Sequence, residues 1–263
     1  MPWTFAHPAA ALAFKPVAKT PHEFAALVIG TISPDIGYYL GSAGLNLRTH
    51  SLAGSLKLCL PMALALLLIL LLLRVPLFLL LPKPHRQAFW PTVKVATPSG
   101  LKSWVRICAW ILIGAWTHII WDACTHRSGL VVQLLPILQA VGLFGWSNHQ
   151  LAQHLSSIFG ALILVVAYLR WLQKNQIDSG NDDGFESWRW RLILSSTAGA
   201  ILMGLPHALT LANSAPVALF WRVLMFQFAI RTTSAFAILI VLSAIWLFWL
   251  IRRQDLSSRM PAP

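Results

Sequence analysis

The strongest constraint on this chain is a set of long apolar runs separated by polar connections. Leu56 to Leu81 is leucine-rich, interrupted by Lys57, Pro61, Arg74 and Pro76. A helix needs about 20 consecutive apolar residues to cross a bilayer, and this run is long enough. Four further runs follow at 104–121, 155–172, 190–210 and 233–251. The fold class they imply is all-α: a polytopic helical membrane protein with about five transmembrane helices, the first at 56–82 and kinked near Pro76. Composition agrees. Only 11% of residues are charged and 57% are hydrophobic, whereas a soluble domain averages about 25% charged.

The organisation read from these runs is a membrane domain over 1–175, a polar flexible linker over 176–189 and a C-terminal helical hairpin over 190–263. Within the hairpin, 211–232 reads as a connector with an interfacial helix around Trp221 and Arg222. In the linker, a solvated connection is the better reading of Asp182 and Asp183, although they could catch a cation weakly.

The formal charge is +12, from 20 basic and 8 acidic residues. Basic residues fall between the apolar runs and at the tail, as expected for membrane orientation and contact with anionic lipid headgroups. No basic stripe with interleaved aromatics lies on a soluble segment, so nucleic acid is excluded as a partner. Lys83, Arg86, Lys94, Lys102, Lys174, Arg189, Arg252, Arg253 and Arg259 outnumber the basic residues of the opposite set of loops. The positive-inside rule puts the first group in the cytoplasm. The expected location is the inner membrane of a bacterium, with the N-terminal segment and the 123–154 loop on its outer face. Cys59, Cys108 and Cys124 make no disulfide framework. The first 20 residues lack the charged and apolar regions of a cleavable signal, so the N-terminus that carries His7 is expected to be kept.

The eight acidic residues are distributed unevenly. Four lie in 178–186 and one in the tail, leaving Glu23, Asp35 and Asp122 for the rest of the chain. Asp122 belongs to H-I-I-W-D-A-C-T-H, residues 118–126, at the end of the second apolar run. Residues four apart share a helix face, so His118 and Asp122 point the same way, with His126 next in line if the helix reaches it. Ionisable groups beside a membrane-grade run are costly and mark a functional site by default. Two crossings separate the N-terminal segment from the 123–154 loop. His7, Asp35, His50, His118, Asp122, His126 and His154 can therefore gather at one face. Imidazole and carboxylate are the ligands that zinc and related divalent ions take. Thr49, Ser51 and Thr125 flank candidate ligands and are candidate partners for them. Each residue also has an ordinary role open to it: Asp35 as a turn former after Pro34, His50 as a cap on the first run, His126 and His149 as loop residues, His154 as a helix start.

The opening M-P-W-T-F-A-H-P, L-V-I-G-T-I-S-P-D at 27–35, R-T-H-S at 48–51, G-A-W-T-H-I-I-W-D-A-C-T-H at 114–126 and L-A-Q-H-L-S-S at 151–157 together resemble an uncharacterised bacterial membrane-protein family. That family is similar to membrane-bound metal-dependent hydrolases and, distantly, to zinc-dependent phospholipase C. The resemblance covers about residues 1–175. It implies a phospholipase C-like helical metal site with His7, Asp35, His50, His118 and Asp122 as ligands, completed by His126 or His154. The phospholipase's closing H-x-x-x-E pair is absent, since Ile158 stands four residues after His154. That leaves one or two ions, zinc first among candidates.

The expected function is hydrolysis of a phosphoester, lipid-linked or otherwise, by a metal-bound hydroxide, with Asp35 or Asp122 bridging ions or acting as base. The first rival is a non-enzymatic membrane protein with a structural metal, which predicts a closed site of four ligands. The second is a transporter, which calls for polar groups at mid-membrane and repeated halves.

Overall fold

A computed structural model describes residues 3–175 and 184–259. Asp178, Gly180, Asn181, Asp182 and Asp183 of the polar linker lie outside the described residues. The described chain is helical, and five stretches are long and apolar enough to cross a membrane: Leu52–Leu72, Leu101–Leu134, Asn148–Lys174, Glu186–Asn213 and Val217–Gln254. Helices satisfy their backbone polar groups internally, which is what a hydrocarbon environment demands. The chain has the make-up of an integral membrane protein.

It divides into two compact units, Met1–Ile69 with Ala96–Gln173, and Leu70–Val95 with Lys174–Pro263. The first unit opens with a 3-10 helix, Thr4–Phe14. Helix α1, Pro21–Ile32, starts on a side-chain cap: the Thr20 hydroxyl accepts from the Glu23 N–H, and Pro21 occupies the first turn. A 3-10 turn, Ser33–Asp35, follows directly. Helix α2, Ala43–Thr49, is capped by Ser42 and ends at His50. A wide π turn, Ser55–Cys59, leads into α3, Leu60–Leu72.

The centre of this unit is the contact of α1 with a second long helix, Leu101–Thr125. Small residues set that contact. A Cβ on Gly30 would collide with the carbonyl oxygen of Ile111, and one on Gly114 with that of Leu27. Close backbone approach through glycine is the usual way membrane helices gain packing energy, because lipid offers no hydrophobic drive between them. Leu27, Ile107 and Ile111 are buried around the crossing. At the far end of α1, buried Glu23 pairs with Arg106 at 2.6 Å.

In the second unit, helix α4, Arg74–Leu80, follows a break at Leu73. The kink expected near Pro76 falls here because a proline ring clashes with the carbonyl four residues back, at Leu72. Helix α5 is His85–Val93, and the 101–125 helix of the first unit is α6. Helix α7, Asn148–Lys174, completes the first unit. The second closes with α8, Glu186–Asn213, and α9, Phe220–Arg259. Residues 70–95 fall in the first segment of the sequence reading, yet they cluster with the C-terminal helices. One tie is Arg189 on α8, whose Nε donates to the Leu79 carbonyl at 2.7 Å.

Two other boundaries differ from expectation. The 211–232 connector is largely helix: α9 runs unbroken from Phe220, because no glycine or proline occurs between Pro216 and Pro261. Helix α6 is also longer than the 104–121 run, since it continues through Asp122 to Thr125. At about 1.5 Å per residue it spans roughly 37 Å, enough to cross the hydrocarbon layer.

Candidate metal centre

Three short elements and one long helix bring the polar residues of the first unit together. The N-terminal 3-10 helix supplies Thr4 and His7, and the Ser33–Asp35 turn supplies Asp35. His50 is the C-cap of α2. Helix α6 supplies His118 and Asp122 one turn apart, and its C-cap is His126 in an extended conformation. The tight α1–α6 crossing fixes the deepest ligand. It brings the Thr31 carbonyl to 2.7 Å from Nδ1 of His118.

A carbonyl only accepts, so His118 carries its hydrogen on Nδ1 and turns Nε2 inward. His50 repeats the pattern, donating from Nδ1 to the Asn46 carbonyl at 2.7 Å. Backbone anchoring of one imidazole nitrogen is the usual way a protein aims the other at a metal. The Thr4 hydroxyl donates to Oδ2 of Asp35 at 2.6 Å, so Asp35 faces the cluster with Oδ1 alone. His7 stacks on the ring of His118 at 3.7 Å and meets Trp121 edge-on.

The two oxygens of Asp122 look in different directions. Oδ2 stands 3.3 Å from Nε2 of His50 and 3.3 Å from Nε2 of His118. Oδ1 stands 3.3 Å from Nδ1 of His126 and 3.7 Å from Nε2 of His7. Oδ1 of Asp35 completes the inner set, 3.4 Å from His50 Nε2 and 3.7 Å from His118 Nε2.

These separations fit a shared cation better than direct bonding. Hydrogen bonds of this type run about 2.7–3.2 Å. Two ligands at about 2.0–2.2 Å from one tetrahedral ion lie roughly 3.4 Å apart. Five buried atoms of the cluster also have no hydrogen-bond partner: Nδ1 and Nε2 of His7, Oδ1 of Asp35, Nε2 of His118 and Oδ1 of Asp122. A buried polar group without a partner costs about 1–3 kcal/mol, and so many in one place call for something outside the protein. His7, Asp35 and His118 form one group able to hold a metal ion, and His50, His118 and Asp122 form another.

Local electrostatics prepare some ligands and hold back one. Burial, with His118 beside it, lowers His7 to about 3, so His7 is neutral and free to ligate at neutral pH. Burial alone would raise Asp35, but His50, His118 and the Thr4 hydroxyl outweigh it and keep the carboxyl below its usual value. Burial also works against a charged His50, yet Asp122 and Asp35 beside it prevail and raise it to about 10. Burial, with Asp35 and Asp122 nearby, pushes the Tyr38 hydroxyl up to about 12. Tyr38 therefore remains a hydroxyl donor.

The cluster is sealed beneath and open above. His118, His7 and Asp35 have side chains at most 2% exposed, whereas His50 and His126 reach 22% and 25%. Of the predicted ligands, His7, Asp35, His50, His118, Asp122 and His126 come together. Neither His126 nor His154 belongs to either metal-holding group, but His126 lies beside Asp122 whereas His154 stands apart. It is exposed on α7 with its ring 4.7 Å from that of Trp146. His149 is buried and bonded to the Leu138 carbonyl and the Ser147 hydroxyl.

Two of the three flanking hydroxyls stand beside the histidines they flank, as expected, although all three donate to backbone carbonyls. Thr49 donates to the Pro34 and Asn46 carbonyls, Thr125 to Trp121 and Ser51 to Arg48. Thr49 and Thr125 do stand 3.4 Å from Nδ1 of His50 and His126. The hydroxyl that binds a ligand carboxylate is Thr4, which the sequence reading did not single out. Its signal was available: Thr4 stands three residues before His7, on the same face of a helical turn.

A family described as a domain of unknown function (DUF4184) matches residues 1–247. Neither the curated proteins nor the solved structures give a match.

Proposed function

We propose that this chain, which belongs to the DUF4184 family, is a membrane-bound metal-dependent hydrolase acting on a phosphoester. The observation that carries the reading is the set of five unpartnered buried nitrogen and oxygen atoms, packed among histidines and aspartates 3.3–3.7 Å apart, with the partly exposed His50 and His126 beside them. His50, His118, Asp122 through Oδ2 and Asp35 through Oδ1 would hold one divalent ion, with zinc favoured by the His/Asp set. His7 and His126, which face the other oxygen of Asp122, would be the residues to help hold a second. When bound, a divalent ion supplies Lewis acidity: it draws charge from a phosphoryl oxygen and makes a nucleophile available near neutral pH.

The chain's own residues supply the rest. Thr4 fixes Asp35 so that a single oxygen ligates. The carbonyls of Thr31 and Asn46 fix the tautomers of His118 and His50. His126 and His50, at the exposed edge, are where a substrate oxygen would arrive. On the charge balance of the loops, the site belongs on the outer face of a bacterial inner membrane.

The rival is a structural metal. It calls for a closed set of four ligands, and the inner set alone would satisfy it. His126 and His50, with side chains 25% and 22% exposed, favour an open position instead. The test is a turnover assay with zinc-loaded full chain on a panel of phosphomonoesters and phosphodiesters. Hydrolysis is expected with wild type and a loss of at least tenfold with His126→Ala. Zinc-loaded protein inert toward the whole panel would favour the structural role.

A further inference from the structure

The segment between α6 and α7 is built the wrong way round for a loop in water. No charged residue occurs from Ser128 to Leu169. Leu130, Leu134, Ile137, Val141, Leu143 and Trp146 are all between 45% and 74% exposed. Gln133 and Gln139 are exposed as well, but much of the segment's backbone is answered from within. Gln139 donates through its side chain to the Val132 carbonyl at 2.9 Å, and Asn148 to that of Ile137 at 2.8 Å. The Gly142 N–H donates to the Trp146 carbonyl at 2.7 Å and the Asn148 N–H to that of Ala140 at 3.0 Å. Two helical turns, Leu130–Leu134 and Pro136–Gln139, take up much of the remaining backbone.

We infer that residues 129–146 lie in the interfacial layer of the bilayer rather than in water. A lipid surface is the one partner that rewards both features at once: apolar side chains facing out, and backbone groups bonded within. The segment is also continuous with exposed apolar surfaces of two candidate membrane spans. It starts from the end of α6, where Ile120 is exposed, and runs into α7, where Leu155, Ile158 and Phe159 are exposed. Trp146 has the amphipathic ring that favours headgroup depth. Exposed Arg127 stands just before the segment, placed for an anionic headgroup.

The placement stands on these contacts alone and needs no metal. One consequence rests on the hydrolase reading above. His126 ends α6 three residues before the segment begins, so the metal centre would open at headgroup level and take its phosphoester from a lipid in the same leaflet.

The test uses the full chain with Cys108→Ser and Cys124→Ser. Cys59 is fully buried and stays in place. Ile137→Cys or Val141→Cys is labelled with an environment-sensitive fluorophore, and Lys19→Cys, at an exposed position, provides the aqueous reference. Each protein is reconstituted into phosphatidylethanolamine–phosphatidylglycerol vesicles. The expected result is strong quenching at 137 and 141 by lipids that carry a doxyl group near the headgroup end of the chain. Iodide should quench these sites at least threefold less than position 19. Iodide quenching equal to that at position 19 would place the segment in water and overturn the inference. Protection from both quenchers would also overturn it, in favour of a second copy of the chain as cover. Chelator-stripped protein should give the same pattern, so a failed metal reading leaves this result untouched. A chelator-stripped pattern that turns aqueous would mean the segment's place depends on the ion, against the inference as stated.

Discussion

Each unit buries charged groups, and the two treat them differently. In the second unit Arg189 is wholly buried, and the protein itself answers it. Its Nε donates to the Leu79 carbonyl, and its Nη1 lies 3.4 Å from Glu186. Glu186 in turn accepts from the Lys83 N–H at 3.0 Å and lies 3.9 Å from Arg86. In the first unit, histidines and aspartates are packed as deeply but stand 3.3–3.7 Å apart, with five atoms unpartnered. A buried charge that the chain pairs for itself is architecture. A buried cluster left unpaired is a donor set able to hold a cation. The second unit has unpartnered atoms too, Nε of Arg231 and Oγ1 of Thr232, but a guanidinium and a hydroxyl do not make a cation site.

The contrast can be broken in graded ways. Asp122→Asn should have the largest effect on the metal, weakening binding by more than about 100-fold, since it removes the group that faces every histidine of the cluster. If elemental analysis of that variant shows full occupancy, Asp122 is architecture like Arg189. Arg189→Met should do the reverse. It should destabilise the second unit by leaving the Leu79 carbonyl without its donor, at a cost of about 1–3 kcal/mol, read as a lower unfolding midpoint in detergent, with metal per folded chain unchanged. Thr4→Val should weaken metal binding about 10–100-fold through the freed Asp35 oxygen, measured by competition with a chelating dye.

A smaller effect concerns protons. Without metal, His50 is raised from 6.5 to about 10. The stability that its charged form gives the metal-free protein is therefore fully present below about pH 6.5 and lost as pH rises through about 10. A ligating histidine must be neutral, so metal uptake at pH 7–8 should release about one proton from His50, and apparent affinity should rise up to about tenfold per pH unit in that range. Calorimetry in buffers of different ionisation enthalpy reads the proton directly; uptake without release would mean that His50 does not ligate. The smallest effect is expected from His154→Ala, which should leave metal content unchanged. A loss there would bring His154 back into the ligand set.

Much of this site was legible in the sequence because acidic residues are so scarce. With Glu23, Asp35 and Asp122 the sole carboxylates outside the linker region and tail, two aspartates beside histidines and apolar runs stood out. The helical spacing of His118 and Asp122 then fixed their common face. What aims the histidines was not legible. Thr31 and Asn46 act through backbone carbonyls, and every residue type has one. The Gly30–Gly114 approach was hidden too, since each glycine is unremarkable until its partner helix is known. Helix positions were found by hydropathy, but helix ends were not. Hydropathy stops at Trp121 and Thr233, whereas α6 continues to Thr125 and α9 begins at Phe220. At the end of α6 backbone hydrogen bonding runs on past the point where side chains turn polar, and in α9 the helix takes in the apolar stretch 220–230, which Arg222 and Gln227 interrupt and Arg231 ends.

The central claim is that residues from four distant elements hold one metal centre. Elemental analysis of the full chain, purified without chelators, tests it most directly when run beside Asp35→Ala and His118→Ala. One or two equivalents of a divalent ion in the wild type, lost in both variants while they remain folded, is the predicted result. A metal-free wild type that takes up no zinc on reconstitution, or variants that keep full occupancy, would contradict it.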